Sequence, residues 1–544
     1  MKARRVFCLL LVGTLLSFAG SSLGQEHAHK AGAPEKLGEV RFPISCDPVV
    51  REPFSRAVAM LHSFWYQEAA KAFAPIAQQD ANCGMAYWGL AMTYYHPLWP
   101  DRPDAATLKE GWAAVEKAKA AGAKTPRERD YITAIEVFYK DAEKLDHPTR
   151  VRAYEKAMEQ LSQRYPADSE AAILYALSIL GTAYSSPADK SYTKHQQAGA
   201  ILEKLFAQQP EHPGLAHYII HSYDFPPLAG RALTAARRYA KIAPDAPHAL
   251  HMPSHIFTRL GLWPESIASN LSSAAAANKY NWTGEELHAM DYLVYAYLQG
   301  AQDQEARKIL NQVPPITDPM PSYFAGLYAT AAIPARYMLE RRQWSEAAAL
   351  KLAPDTFRAG RYSWAEATIR FARGLGAART GDVAKARDEV QRLEVLKEVL
   401  LQEKENYWAE QVEVQRRAVA AWLALDEGRK TEALTLMRSA ADLEDSMDKS
   451  PVTPGAVIPA RELLGDMLLE LKQPGQAVGE FEAALRASPN RFNSLYGAGR
   501  AAELVGEGEK AKNFYAKLVA ICDHADTERA ELRTAQGFLN SPRR

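Results

Sequence analysis

Apolar side chains recur every three or four residues through most of the chain that follows Pro53. Ala69, Phe73 and Ile76, for example, fall on one face of a helix. The same spacing continues through residues 105 to 180, and no pair of segments shows the two-residue alternation of a strand hairpin. The pattern therefore predicts an all-α protein.

Near the C-terminus the helical pattern repeats after 34 positions. Small residues and a large aromatic ring recur at fixed positions. The recurring residues are Gly465, Ala477 and Phe481 and, 34 positions later, Gly499, Ala511 and Tyr515. A period of this length is typical of stacked helix-turn-helix units. Residues 458–525 thus resemble two successive repeats of the tetratricopeptide repeat (TPR) family.

Degenerate copies of this pattern extend back through residues 46–449. The resemblance implies an all-α, right-handed superhelical solenoid of antiparallel helix pairs, with a regular pair at 458–525 and a tail at 526–544. The proline-rich stretch 450–459 would separate the regular pair from the rest. Members of the family bind partners in a concave groove, so the resemblance also implies a protein or peptide partner.

Half of the histidines lie close together in the middle of the chain: seven of fourteen fall between residues 212 and 288. Two pairs have the spacing HxxxH and stand 34 positions apart, His217 with His221 and His251 with His255. Residues i and i+4 share one helical face, so both rings of a pair point the same way. In the repeat family this face lines the groove. The resemblance therefore implies a histidine-lined groove at residues 212–291, which we expect also to include His248, His288, Asp224, Arg259 and Asp291.

Two histidines one turn apart can hold one metal ion, and packed helices stand close enough, at about 8–10 Å, for two such pairs to converge. Zinc or copper is then the expected ion, because an exported protein can acquire either one without cytosolic buffering. The same histidines could instead bind the carboxylate of a ligand, or be hydrogen-bonded structural residues. Pro253 stands between His251 and His255, and it would rotate His251 out of line if it began a separate helix.

The sequence indicates a binding role ahead of an enzymatic one. It has no glycine-rich phosphate loop, no GxSxG and no CxxC motif, and it indicates no catalytic residue. Its 65 basic and 65 acidic residues cancel, which argues against a nucleic-acid partner. We therefore expect an interaction module whose groove binds a peptide, a protein or a small ligand. The alternative is a metal-binding protein or metal-dependent enzyme that uses the doubled HxxxH cluster.

The N-terminal residues predict export. A basic start, an apolar run and a set of small residues make 1–24 a secretory signal, followed by a flexible leader at 25–45. No later stretch is long and apolar enough to cross a bilayer, so the expected location is periplasmic or extracellular. In an oxidising compartment we expect a disulfide between Cys46 and Cys83, which flank the first helical unit. Free thiols at these positions and at Cys522 are the alternative.

Overall fold

The computed structural model describes residues 35–99, 102–185, 189–314, 324–352 and 360–541. The secretory signal assigned to 1–24, and residues 25–34 of the leader, lie outside the described residues. Within those ranges every regular element is a helix, and none of these helices has the length and apolarity that a membrane span requires. From Lys36 onward the chain forms one unit.

Eight α-helices form the N-terminal part of this unit, and polar caps fix several of their starts. Thr125 and Glu128, for example, form a capping box that satisfies backbone N–H groups in the first turn of the fifth helix. The eight helices are α1 (Arg51–His62), α2 (Tyr66–Gln79), α3 (Gly84–Thr93), α4 (Ala105–Ala121), α5 (Pro126–Tyr139), α6 (His147–Arg164), α7 (Ser169–Tyr184) and α8 (Thr193–Phe206).

Six helices carry the histidine-rich part of the chain. They are α9 (Pro213–Tyr223), α10 (Leu233–Ile242), α11 (Pro247–His251), α12 (Pro253–Leu260), α13 (Trp263–Lys279) and α14 (Thr283–Gln299). Three short 3₁₀ helices lie in connecting segments of the chain, at Pro48–Val50, Ala229–Ala232 and Gly360–Tyr362.

Twelve further helices complete the described chain. They are α15 (Asp303–Leu310), α16 (Phe324–Glu340), α17 (Trp344–Ala348), α18 (Ser363–Arg379), α19 (Val383–Gln402), α20 (Asn406–Asp426), α21 (Lys430–Ser446), α22 (Ala460–Glu470), α23 (Pro474–Ala487), α24 (Phe492–Leu504), α25 (Gly508–Ile521) and α26 (Ala530–Asn540). The four helices α22 to α25 are the two hairpins expected within residues 458–525.

Helix pairs stack along the chain. Each helix packs against the next one in the chain. In the C-terminal half, every second helix also packs against the next member of one row, which consists of α14, α16, α18, α20, α22 and α24. The helices of this row are buried on most sides, whereas the intervening helices bury one stripe. This is the packing of a solenoid, in which each repeat contacts its neighbours. The predicted all-α solenoid of antiparallel helix pairs is confirmed.

The proline-rich stretch 450–459 packs against helices from the middle of the chain. Tyr292 on α14 donates its hydroxyl to the carbonyl of Thr453 at 3.0 Å, and Arg336 on α16 donates to the carbonyl of Ala456 at 2.8 Å. The stretch thus lies against the middle helices, because their buried donors satisfy its backbone acceptors. The predicted division of the chain at this stretch stays a prediction, and the stretch itself is packed against α14 and α16.

The two ends of the described chain are packed more tightly than expected. Phe42, assigned to the flexible leader, is buried against the rings of Phe54 and Trp88 at 5.5 and 5.2 Å. Arg529, assigned to the tail, is buried and forms an ion pair with Asp303. Apolar burial at one end and charge pairing at the other hold both segments in place.

A disulfide joins Cys46 to Cys83, with Cα atoms 5.1 Å apart. This is the pair that the sequence places on either side of the first helical unit. Cys522 is a buried free thiol.

Candidate metal centre

Four helices bring six histidines together, and none of the six is more than 5% exposed. They form two groups, each with its candidate ligand nitrogens within 4.8 Å of one another. The first triad is His217, His221 and His248, and the second triad is His251, His255 and His288. They lie on α9, α11, α12 and α14.

Pro253 does not disturb the second triad. It is the first residue of α12, where a backbone N–H group would have no hydrogen-bond acceptor within that helix, so proline costs nothing there. Met252 before it keeps right-handed helical angles, φ −53° and ψ −35°, so α11 runs on into α12. His251 and His255 stay on one face, and the rotation considered from the sequence does not occur.

The second triad has two Nε2 atoms turned toward each other, those of His251 and His255, 3.0 Å apart. His251 Nδ1 is 2.7 Å from Oδ1 of Asn270, whose amide nitrogen donates to the carbonyl of Ser266. His255 Nδ1 is 3.0 Å from Oδ2 of Asp224. An amide oxygen and a carboxylate only accept hydrogen bonds, so both Nδ1 atoms carry a hydrogen.

The two facing Nε2 atoms are therefore bare in the neutral rings. A neutral imidazole has one N–H group, and each ring uses it at Nδ1. The hydroxyl of Tyr292 lies 3.3 Å from His255 Nε2 but only 3.0 Å from the carbonyl of Thr453. Among the described residues, neither ring supplies a hydrogen to bridge the gap between His251 Nε2 and His255 Nε2. The two lone pairs need a positive centre between them, either a metal ion or an additional proton.

Burial disfavours the additional proton. It holds the pKa of His251 well below its usual value and lowers the pKa of His255 to about 4, although Asp224 acts in the opposite direction. It also lowers the pKa of His288 to about 3. At neutral pH these rings are uncharged, which is the form that binds a metal.

The first triad has a similar geometry, but one of its two facing nitrogens can carry a hydrogen. His217 Nδ1 donates to the carbonyl of His62 at 2.6 Å, and His248 Nδ1 donates to Oε1 of Glu285 at 3.0 Å. The Nε2 lone pair of His217 therefore faces His221 Nε2 at 3.1 Å. In the part of the chain that the structure describes, His221 Nδ1 has no partner, so a hydrogen on His221 Nε2 can close this gap without an ion.

Of the three charged residues expected in the groove, Asp224 contacts the second triad and Arg259 contacts Asp224. Asp224, which orients one ring of that triad, also binds Arg259 Nε at 2.8 Å and Lys449 Nζ at 2.9 Å. Burial would raise the pKa of Asp224, but Lys449 and Arg259 outweigh it and hold that pKa well below its usual value. Asp291 instead forms a buried ion pair with Arg336 at 3.2 Å.

A third cluster, which sequence reasoning missed, joins His62, Glu170 and His212. Glu170 accepts from His212 Nε2 at 2.8 Å and from His62 Nε2 at 3.0 Å. His62 Nδ1 accepts from the hydroxyl of Tyr218, and His212 Nδ1 accepts from the N–H of Leu215. Hydrogen bonds thus account for every nitrogen without an ion. No spacing in the sequence links these residues, because they come from three distant segments.

The rest of the chain covers both triads. The ring of Phe64 lies 4.3 Å from that of His217 and 5.8 Å from that of His248. Lys449, from the segment before the proline-rich stretch, reaches the buried Asp224. The expected open groove lined by these histidines is therefore closed in the described chain, because aromatic packing and a buried ion pair cover it.

No family model matches the sequence, and no curated protein matches it. Among solved structures, the crystal structure of the APC/C hetero-tetramer Cut9–Hcn1 is similar over 90% of this chain and 82% of that chain, with 11% identity and a TM-score of 0.34. A likeness at this level carries no argument about function.

Proposed function

We propose that this protein binds a transition metal, zinc or copper, through its buried histidine triads. The single observation that carries the proposal is the pair of bare Nε2 atoms of His251 and His255, 3.0 Å apart, with both Nδ1 hydrogens already committed to acceptors. A metal ion between the nitrogens removes the repulsion of the two lone pairs.

The hydrogen bonds around the rings support this assignment. Metal-binding histidines commonly donate their second ring N–H to a carboxylate or carbonyl oxygen, which fixes the tautomer and the ring orientation. Asp224, Asn270, Glu285 and the carbonyl of His62 are acceptors of this kind. Three histidines also leave a fourth coordination position for water or a substrate, as in catalytic zinc sites.

The test is metal binding by protein purified without an affinity tag. Elemental analysis is expected to find zinc or copper, and chelator-stripped protein is expected to take the metal up again in a calorimetric titration. His255→Ala should remove the tight site of the second triad, because it removes one of the two facing nitrogens.

His195→Ala is the matched control. His195 is also buried, with an Nε2 atom that lacks a partner in the described chain, but it belongs to neither triad. This variant should bind metal as the parent does. A folded parent that takes up neither zinc nor copper would contradict the proposal.

Export forms part of the proposal. The disulfide Cys46–Cys83 supports it, because such bonds persist mainly in oxidising compartments. The sequence of residues 1–24 supports the same location.

Protein or peptide binding is the second candidate function, and a cavity of about 500 Å³ favours it. Its lining includes Tyr328, Trp364, Trp408 and Lys449. A peptide bound there would contact aromatic rings and the ammonium groups of Lys190 and Lys449, and Lys449 also contacts Asp224 beside the second triad.

A further inference from the structure

The two triads adjoin each other. The rings of His221 and His255, one from each triad, have centroids 6.4 Å apart, and those of His248 and His251 are 6.2 Å apart. Two ions held by the triads would therefore be near neighbours in one buried site. Each triad consists of histidines alone, so a small molecule from outside could bridge the two ions.

The charges around the triads favour ions of low charge. Asp224 and Glu285 contact the histidines, and Arg259 and Lys449 contact Asp224. The formal charges of these four groups cancel, and neutral histidines add none. Buried charge without a counter-charge is costly. Two Cu(I) ions would leave two positive charges in the site, whereas two Zn(II) ions would leave four.

We propose that the six histidines hold a pair of Cu(I) ions that binds one dioxygen molecule between them. This inference rests on the proposed metal-binding function. Each Cu(I) gives up one electron and becomes Cu(II), and the dioxygen accepts both electrons to become a bridging peroxide. Copper–oxygen bonds form, the π bond of dioxygen is lost and its σ bond remains. No proton moves, and the total charge of the site is unchanged.

An aromatic cavity beside the first triad gives an apolar molecule a place to approach. The cavity has a volume of about 680 Å³, and Phe64 and Trp99 are among its lining residues. The same two rings lie against the histidines, with centroid distances of 4.3 Å from Phe64 to His217 and 6.1 Å from Trp99 to His248.

The experiment loads chelator-stripped protein with Cu(I) in the absence of oxygen and then adds dioxygen. We expect two copper ions and one dioxygen bound per chain, an intense near-ultraviolet charge-transfer band, and no electron paramagnetic resonance signal, because the two Cu(II) spins couple through peroxide. Two copper ions with the full signal of isolated Cu(II) would overturn the pair, as would one copper per chain. Neither result would overturn metal binding itself, whereas a chain that binds no metal would overturn both proposals.

Two variants distinguish a coupled pair of copper ions from two copper sites that act independently. His288→Ala is expected to lose one copper and all dioxygen uptake, because a peroxide bridge needs both ions. His195→Ala should keep two copper ions and full uptake. Dioxygen uptake by folded His288→Ala at the parent's level would overturn the proposal. If that variant does not fold, the copper count and spin measurement on the parent decide the question alone.

Discussion

At the scale of single residues, the decisive feature of this protein is where each imidazole hydrogen lies. His62 and His212 share Glu170, and their hydrogens and lone pairs are all matched. His251 and His255 are equally buried, but their hydrogens point to outer acceptors and leave two lone pairs face to face. The two pairs of histidines are equally buried, so their hydrogen-bond partners distinguish the structural pair from the candidate metal ligands.

Asp224 allows this distinction to be tested. Asp224→Asn removes the carboxylate that orients His255, and it should weaken metal binding at the second triad by about 10–100-fold, as is usual for outer partners of metal ligands. Competition with a chelating dye measures the change. Glu170→Gln makes the same chemical change in the fully paired cluster and should leave metal affinity unaltered. Equal losses in both variants would show that Asp224 acts only through general stability.

At the scale of helices, close approach depends on residues without a side chain. A Cβ atom on Gly465 would lie 2.7 Å from the ring of Phe481, and one on Gly499 would lie 2.6 Å from Tyr515. These are the small and large positions that recur in the sequence. Gly497, which the repeat pattern does not single out, is closer still to Phe481, at 2.3 Å. Each ring therefore fills the space that a glycine on a neighbouring helix leaves open.

Gly465→Ala tests this packing between α22 and α23. The added methyl group must displace a buried aromatic ring, so we expect a loss of about 1–3 kcal/mol in the free energy of unfolding. Gly479→Ala on α23 is the control, because it is exposed and its Cβ would meet nothing within 4 Å. That change should stabilise the helix by about 0.5–1 kcal/mol. Chemical denaturation of both variants gives the two values, and a stabilised Gly465→Ala would contradict the packing.

At the scale of the whole molecule, the C-terminal helices contact the middle of the chain through buried polar groups. Arg491 at the start of α24 is fully buried and binds Glu340 at 2.7 Å and Glu462 at 3.1 Å. Trp263 at the start of α13 donates to the carbonyl of Asn490 at 2.9 Å. These contacts join helices far apart in sequence, so the elements that cover the histidines depend on the path of the whole solenoid.

Three buried or partly buried histidines outside the triads predict that the folded protein is sensitive to acid. Burial lowers the pKa of His96, His147 and His195 to about 4, whereas an unfolded histidine has a pKa of about 6.5. The unfolded chain therefore takes up protons first, so their stabilising effect is complete above about pH 6.5 and is lost as the pH falls toward 4. Each histidine should steepen this loss by about 1.4 kcal/mol per pH unit.

Urea denaturation of metal-free protein between pH 7.5 and 4.5 measures this slope. In His195→Ala, the free energy of unfolding should depend less steeply on pH, because unfolding takes up about one proton fewer. This difference in slope is expected whatever the variant's stability at pH 7.5. A variant whose slope equals that of the parent would show that His195 is not held neutral by the fold.

The sequence by itself determined the features that depend on near neighbours along the chain. Periodicity identified the helices, and a 34-residue repeat placed Gly465 against Phe481 and Gly499 against Tyr515. The HxxxH spacing put His251 and His255 on one face, because a helix brings residues i and i+4 together whatever surrounds it. The recurrence of that spacing selected four of the six histidines, and the repeat resemblance added His248 and His288.

Only the tertiary structure decided what those histidines face. Asn270, Asp224 and the carbonyl of His62 become acceptors through contacts between helices, and the Glu170 cluster has no counterpart in any sequence spacing. The expected open groove failed for the same reason, since Lys449 reaches Asp224 across 225 positions of sequence. Small rotations between successive repeats add up along a solenoid. Which distant residues finally meet is therefore a property of the whole path and not of any local pattern.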